Sequence, residues 1–173
     1  SMRRGCPRVS DVQDLIERTL KEQELTYTRH QGARGGPPGL VVELPGERRL
    51  KTNTILTIGE HSVRIEAFVC RQPDENHEGV YRFLLKRNRR LYGVAYTLDN
   101  TGDIYLVGRM ALASVTSEEI DRVLGQVLEA VDSDFNTLLE LGFSHLHPEG
   151  VGVAGVAGGR ITEEPAGVRA PHR

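Results

Sequence analysis

One stretch in the second half of the chain, TSEEIDRVLGQVLEAVDSDFNTLLELG, constrains the fold more than any other. It runs from Thr116 to Gly142, and its apolar side chains recur at the three- and four-residue spacing of a single helix face. Thr116 and Glu119 match a capping box, and Gly142 is predicted to end the helix in a left-handed conformation. Leu128, in mid-stripe, is predicted to be among the most buried side chains. A helix of about 25 residues is about 37 Å long, so we expect it to cross a sheet or to reach a second subunit.

The remaining sequence predicts two more helices and five strands. The first helix begins at Ser10 and ends near Glu24, and the second follows the polar loop 72–78, with Asn76 or Asp74 as its cap. The predicted strands are Leu40–Leu44, Lys51–Ile58, Val63–Cys70, Tyr92–Leu98 and Asp103–Leu112. The order is helix-β-β-β-helix-β-β-helix, which is typical of an α+β fold with helices packed on an antiparallel sheet.

Alternation along the third strand predicts one face covered by helices and one less buried. Val63, Ile65, Ala67 and Val69 are expected on the covered face, and Arg64, Glu66, Phe68 and Cys70 on the other. The last two strands flank a hairpin turn at 99–102, DNTG. Gly108 within the final strand predicts a bulge or a close crossing by the long helix.

Composition and charge restrict the domain organisation and the compartment. We predict a short N-terminal tail over 1–8, one domain over 9–143, and a flexible tail rich in glycine and proline over 144–173. The two cysteines, Cys6 and Cys70, lack metal-site spacing, and residues 2–14 lack the apolar core of a signal peptide. These features predict a cytoplasmic protein with no membrane partner. The formal net charge of −2 argues against nucleic acid as a partner.

A cluster of basic residues lies at the end of the second helix. Lys86, Arg87, Arg89 and Arg90 fall where positive charge complements the helix dipole. They therefore have two interpretations, a solvated face that stabilises the helix or a contact patch for an acidic partner.

No combination of residues in the sequence indicates catalysis or a cofactor. His61, Asp74, Glu75 and His77 lie in loops or at a helix start, where such residues ordinarily serve as caps and solvated charge. His145 and His147 lack the further ligands of a metal site, and the run HQGARGGPPG over 30–39, predicted to be a flexible loop, has no Gly-Lys-Ser/Thr of a phosphate-binding loop. The expected protein is not an enzyme and needs no cofactor.

Several blocks of sequence resemble one bacterial family. The run FVCRQPDENHEGVYRFLLKRNRRLYGVAY over 68–96, then DIYLVGRMAL and the helix that ends in DFNTLLELGF, closely resembles the YbjN-domain family, described as sensory transduction regulators. The resemblance covers about Val9 to Phe143 and implies the fold of type III secretion chaperones. Those chaperones are small acidic homodimers that hold an extended effector segment. This chain differs from them in its nearly neutral charge and its glycine-rich tail.

Two functional hypotheses follow. The first is a noncatalytic protein-binding module, chaperone-like or regulatory, that acts as a homodimer and binds a further protein. The long helix that exceeds one sheet also favours a dimer. The alternative is a sensor domain with a small-ligand pocket between sheet and helix, lined by Phe68, Tyr96 or Tyr105.

Overall fold

The computed structural model describes residues 5–48 and 51–146, which form three α-helices and one six-stranded antiparallel sheet. The helices are α1 (Val9–Glu22), α2 (His77–Asn88) and α3 (Ser117–Gly142). The strands are β1 (Thr26–His30), β2 (Gly39–Pro45), β3 (Lys51–Ile58), β4 (Ser62–Cys70), β5 (Ala95–Leu98) and β6 (Ile104–Ala111). Their order in the sheet is β1-β2-β3-β4-β6-β5. The α+β prediction is confirmed.

Four strands precede α2, one more than the sequence predicted. The additional strand, β1, has the sequence TYTRH and pairs with β2 alone, so it is an edge strand. Only Tyr27 is half-buried in it, and the other four residues are exposed. Pattern analysis missed β1 because an edge strand with little buried surface lacks apolar alternation. The β1–β2 connection runs over 31–38 and contains a 3-10 turn at Ala33–Gly35. The predicted flexible loop over 30–39 was one residue too long at each end, because His30 and Gly39 are paired strand residues.

All three helices pack on one face of the sheet, where the core lies. Val63, Ile65, Ala67 and Val69 of β4 are fully buried there, as predicted. Cys70 was predicted on the less buried face, but it is only 2% exposed. The register shifts between Phe68 and Cys70, so that Cys70 lies opposite Ile104. This bulge turns the thiol side chain into the core, because an extra residue reverses the alternation.

The start of α3 was predicted correctly and its end was not. Thr116 Oγ1 accepts a hydrogen bond of 3.1 Å from the Glu119 N–H. Gly142 is the last helical residue and is not left-handed; the chain leaves the helix through Phe143, with φ −142°. Packing explains the glycine, since a Cβ there would lie 3.0 Å from the Pro73 Cβ. The Gly142 carbonyl also accepts hydrogen bonds from the amides of Asp74 and Glu75.

The buried face of α3 is centred near Val127 and not at Leu128. Val127 is fully buried, whereas Leu128 is only half-buried at the margin of the core. Adjacent helical residues point about 100° apart, so only one of the two can lie at the centre. Ala130 and Asp134 also face inward, at 0% and 6% exposure. The prediction used only the spacing of large apolar residues and left out Ala130 and Asp134. The predicted centre of the buried face was therefore one residue too far along the helix.

The other predicted caps and the role of Gly108 also need correction. Ser10 lies inside α1, and neither α1 nor α2 has a side-chain cap, although Asn76 occupies the position before α2. The turn at 99–102 is present, and Asp99 Oδ1 accepts hydrogen bonds from the amides of Thr101 and Asp103. A Cβ on Gly108 would lie 2.0 Å from the Gly93 carbonyl oxygen, so the close neighbour is the segment before β5 and not the long helix.

Core contacts continue past the predicted domain end at 143. Leu146 is 9% exposed and belongs to the hydrophobic core. The Ser144 amide donates to Glu75 Oε1 at 2.8 Å. The rest of the predicted tail, from His147 onward, lies outside the described residues.

Candidate functional site

The helix α2 combines a buried side with an exposed apolar ridge. Val80 and Leu84 face the core at 1% and 4% exposure, but Leu85 is 68% exposed. Leu98, at the end of the neighbouring strand β5, is 45% exposed. Tyr81, one turn before Leu85, is half-buried. An apolar side chain as exposed as Leu85 is informative when it belongs to a larger patch.

That patch is bordered by hollows on both sides of α2. A groove of about 360 Å³ between α2 and β5 is lined by Tyr81, Leu84, Leu85, Tyr96, Thr97 and Leu98. A second hollow, of about 670 Å³, lies along the outer side of the helix and is lined by His77, Glu78, Tyr81, Arg82, Leu85, Lys86 and Arg89. We define the α2 surface as Glu78, Tyr81, Leu85, Lys86, Arg89 and Leu98. It is an apolar ridge with charged residues at its rim.

The structure divides the predicted basic cluster into two parts. Lys86, Arg89 and Arg90 are exposed and, with Phe83, line a hollow of about 730 Å³. Arg87 also borders that hollow, but its side chain is only 19% exposed and is engaged within the chain. The other three side chains therefore carry the charge that is available to a partner.

Arg87 binds two carboxylates of α3. Its Nε lies 2.9 and 3.0 Å from the two oxygens of Asp134, and its terminal nitrogen donates to both oxygens of Glu129 at 2.8 Å. Burial lowers the pKa of Arg87, but the hydrogen bonds and negative charges of Asp134 and Glu129 outweigh it, so that the pKa is raised overall. Arg87 thus fixes the orientation of α2 on α3.

Asp134 also joins α3 to strand β5. The Tyr96 hydroxyl is buried and donates to Asp134 Oδ2 at 2.6 Å. Burial, together with the hydrogen bond and charge of Asp134, raises the pKa of Tyr96, so the phenol stays protonated and acts as a donor. The signal for this contact in the sequence was Asp134 itself, an aspartate at a position where the helical period of α3 predicts a buried residue. It was missed because only the apolar residues were used to locate the face.

The side chain of Asn88 covers part of the β5 edge. The Tyr96 amide donates to Asn88 Oδ1 at 2.7 Å, and Asn88 Nδ2 donates to the Tyr96 carbonyl at 3.2 Å. The carboxamide therefore takes the hydrogen-bonding positions that a neighbouring strand would occupy. This arrangement protects the edge from pairing with another strand. A partner at the α2 surface has to use side chains more than strand addition.

The residues proposed for a small-ligand pocket do not come together. The rings of Phe68 and Tyr105 contact edge to face, with centroids 5.4 Å apart, on the sheet face that points away from the helices. Tyr96 lies on the opposite face and lines the α2–β5 groove. The three aromatic residues therefore do not enclose one cavity.

Among the residues considered for catalysis, Asp74 and Glu75 have side chains engaged in structural contacts, and His61 forms one through its backbone. Asp74 pairs with Arg71 and lies 3.1 Å from His145 Nε2. Hydrogen bonds from Ser144 lower the pKa of Glu75. The carbonyl of His61 accepts a hydrogen bond from the Leu112 amide at the other end of β4.

The described residues offer neither a metal-binding cluster nor a membrane-spanning helix. Over 5–48 and 51–146, no group of three or more histidine, cysteine, aspartate or glutamate side chains is placed to hold a metal ion. Within the same ranges, none of the helices has both the length and the apolar character required to span a bilayer.

Sequence comparisons identify relatives over most of the chain. The YbjN family, described as "Putative bacterial sensory transduction regulator", matches residues 13–140. The uncharacterized protein Rv0487 of Mycobacterium tuberculosis is 71% identical over 132 residues, which cover 76% of this chain and 72% of that protein. The uncharacterized protein ML2442 of Mycobacterium leprae is 76% identical over 129 residues, which cover 75% of this chain and 70% of that protein.

Two solved structures are similar in fold. The ExoU–SpcU complex from the type III secretion system of Pseudomonas aeruginosa aligns with a TM-score of 0.48 and 18% identity, covering 72% of this chain and 98% of that chain. The ExsC–ExsE complex aligns with a TM-score of 0.45 and 19% identity, covering 75% of this chain and 95% of that chain.

The class of the protein follows from its architecture, which is an α+β domain whose antiparallel sheet is covered by helices on one face. The family match extends over well more than half of the sequence. The chain belongs to the YbjN family, as the sequence resemblance predicted.

Proposed function

We propose that this protein is a noncatalytic protein-binding module, chaperone-like or regulatory, and that it acts as a homodimer through the α2 surface. The observation that carries this proposal is Leu85, which is 68% exposed on an ordered helix beside the 45% exposed Leu98. Burying both side chains against a protein removes apolar area from water. The charged rim supplies specificity, because rim charges select partners and orientation.

Antiparallel pairing of two α2 helices satisfies this surface with one twofold axis. In an isologous interface centred on Leu85, Tyr81 of one copy lies opposite Arg89 of the second copy. Glu78 of the first copy then lies at the same end of the interface as Arg89 of the second copy. Glu78 forms only an exposed ion pair with Arg82 inside its own helix, and such pairs contribute little. Its carboxylate is therefore available to pair across the axis.

Light scattering after size exclusion tests the dimer. The wild-type chain is expected at twice the chain mass at micromolar concentration, and Leu85→Asp at the mass of one chain. Ile55→Asp is the matched control, because Ile55 is also exposed, at 36%, but lies in β3 away from α2. A monomeric wild-type protein contradicts the homodimer. Loss of dimer in both variants contradicts the assignment to α2.

A charge exchange tests the geometry. Glu78→Arg and Arg89→Glu should each weaken the dimer, and the double variant should restore it if the two side chains meet across the axis. Equal weakening in the double variant would show that a different pairing is used.

Of the three hollows described beside α2, the α2–β5 groove is the one that lies between a helix and the sheet, as the sensor hypothesis requires. The groove is open at Leu85 and Leu98, whereas small-ligand pockets bury most of the ligand surface. The same exposed leucines therefore favour a protein partner over a small ligand.

A further inference from the structure

One row of side chains on the sheet face opposite the helices consists of hydrogen-bond donors. Thr57 of β3 lies opposite Arg64 of β4, and Arg64 lies opposite Arg109 of β6. Side chains of directly opposite residues lie on the same face, with Cβ atoms about 5 Å apart. Both arginines are exposed, and the threonine is half-buried. We name Thr57, Arg64 and Arg109 the arginine row.

The two arginines of this row carry positive charge that is only partly neutralised. Like charges directly opposite on neighbouring strands destabilise a sheet. Glu66 compensates Arg64 in part, since its carboxylate oxygen is 3.8 Å from Arg64 Nη2, beyond hydrogen-bond distance. Among the residues that the structure describes, Arg109 forms no ion pair. A bound anion would therefore relieve the repulsion between the two guanidinium groups.

An imidazole borders the arginine row on its β2 side. Gly39 of β2 lies opposite Thr57, and the ring of His30 covers this glycine. A Cβ on Gly39 would lie 2.7 Å from His30 Nε2, so the ring occupies the place of the missing side chain. His30 Nδ1 lies 3.0 Å from the carbonyl oxygen of Gln31, and it is the donor because a carbonyl only accepts. This hydrogen bond holds the ring at the end of the row.

The donors of the row exceed what a carboxylate can accept. Each guanidinium presents several N–H groups in a planar fork, and the threonine hydroxyl adds one O–H. A carboxylate has two oxygens in one plane, whereas a phosphoryl group has three terminal oxygens that point in different directions. A phosphoryl group can therefore accept from both arginines and from the hydroxyl at the same time.

We propose that the arginine row binds the phosphoryl group of a soluble phosphomonoester. Arg64 and Arg109 donate to it through their guanidinium groups, and the Thr57 hydroxyl donates a third contact. An anionic bilayer is a poorer source of this group, because the same sheet face carries the partly exposed carboxylates of Glu43 and Glu66. This inference goes beyond the proposed protein-binding function and uses neither the α2 surface nor the α2–β5 groove.

The probe is glycerol 3-phosphate, titrated at constant ionic strength into the full chain labelled with 15N, at a pH well above the second phosphate pKa of about 6. The amide signals of the arginine row and the side-chain Nε–H signals of both arginines should shift and saturate at about millimolar probe. Sodium acetate should bind at least about tenfold more weakly, since it accepts fewer of the hydrogen bonds. An equal response to acetate, or no saturating shift in the row, would overturn the site.

Two further ligands test the source of the phosphoryl group. Inorganic phosphate should bind in the same concentration range as glycerol 3-phosphate, because both present three terminal oxygens. Binding of inorganic phosphate alone would assign the row to the free ion and overturn the phosphomonoester. Co-sedimentation with phosphatidic acid vesicles, without a response to either soluble probe, would assign the group to a lipid and overturn it as well.

Variants locate the contact. Arg109→Gln should weaken glycerol 3-phosphate about tenfold, because charge-assisted hydrogen bonds are among the stronger contacts. Glu66→Gln should tighten it about threefold, since a neighbouring negative charge is removed. Lys51→Gln removes a positive charge from the same face outside the row and should change the affinity less than about twofold. Equal losses in Arg109→Gln and Lys51→Gln would indicate nonspecific attraction and contradict the site, as would weaker binding in Glu66→Gln.

Thermal denaturation separates loss of the contact from loss of the fold. Arg109→Gln removes one of two like charges, so without ligand it should melt at or above the temperature of the wild type. If it melts lower, Thr57→Val carries the test, with an expected loss of affinity of about threefold, and unchanged affinity in that variant would contradict the site. Light scattering of the same samples reports the homodimer separately, so failure of the dimer and failure of the arginine row are distinguishable.

Discussion

The helices α2 and α3 use their apolar side chains in opposite ways. The apolar stripe of α3 is buried against its own sheet, with Val127 at 0% and Leu138 at 2% exposure. On the shorter α2, Leu85 points outward at 68% exposure. The length of α3 was a reason to predict a dimer, but its stripe is occupied within the subunit. Strong periodicity therefore locates the core, and an apolar residue outside the period marks the candidate interface.

The two helices are nevertheless joined by a polar network centred on Arg87. Arg87 of α2 binds Asp134 and Glu129 of α3, and Tyr96 shares Asp134. The side chains of this network are partly buried and have hydrogen-bond partners. The network therefore fixes the angle at which α2 presents Leu85. The comparison between the helices can therefore be tested on each helix separately and at the contact between them.

The largest difference is expected between Leu138→Ala and Leu85→Ala. Removal of the buried Leu138 side chain leaves a cavity and should reduce the free energy of unfolding by about 2 to 5 kcal/mol. Leu85→Ala should change it by less than about 0.5 kcal/mol, because that side chain is mostly in water. Both variants are compared by urea denaturation in a Glu78→Arg background, which should weaken the proposed dimer, at a protein concentration where light scattering gives the mass of one chain. Similar losses would mean that α2 buries Leu85.

The second prediction concerns the contact between the helices. Asp134→Ala leaves the Tyr96 hydroxyl with only the Ala130 carbonyl, 3.3 Å away, as an acceptor and removes one carboxylate partner of Arg87. It should cost about 2 to 3 kcal/mol. The loss is smaller than for a fully buried pair, because Arg87 keeps Glu129 and is 19% exposed. Urea denaturation gives the stability, and the backbone NMR shifts of α2 report its position.

A double variant provides the control. If Asp134 acts through Tyr96, Tyr96→Phe should cost less in the Asp134→Ala background than in the wild type. Additive losses would show that the two side chains do not depend on one another.

The elements that sequence analysis located share a clear physical signal. The α3 stripe, the alternation of β4 and the 99–102 turn each follow from a local pattern that burial reinforces. The edge strand β1 buries little, so its pattern was absent. The inward turn of Cys70 depends on a bulge against β6, a nonlocal pairing that the order of residues in β4 does not specify.

The candidate site was predicted less completely than the fold. The basic residues after Leu85 were identified from their position at a helix end, but the partnership of Arg87 with Asp134 joins residues 47 positions apart. The exposure of Leu85 was also not apparent, because the sequence of α2 contains consecutive leucines and only packing decides which one faces inward. Leu84 is 4% exposed, whereas Leu85 is 68% exposed.

The third prediction sharpens the location of the buried face of α3. Leu128→Ala should cost about 1 kcal/mol, below the usual range for a core leucine, because Leu128 is half-buried. Val127→Ala should cost more, about 2 kcal/mol, although it removes fewer carbon atoms. Thermal and urea denaturation of both variants measure the order. A larger loss at Leu128 would restore the predicted face and contradict the packing described for α3.

The smallest effects are expected where the two helices begin. The Thr116 side chain caps α3, so Thr116→Ala should lower stability by about 1 kcal/mol. Asn76 precedes α2 with φ 49° and makes no side-chain cap. Asn76→Gly removes the strain of this left-handed conformation, so it should leave stability unchanged or raise it by roughly a few tenths of a kcal/mol. Amide hydrogen exchange in the first turn of each helix measures the two changes locally. Faster exchange at the start of α2 in Asn76→Gly would show that Asn76 stabilises that helix, and the start of α2 would then resemble that of α3.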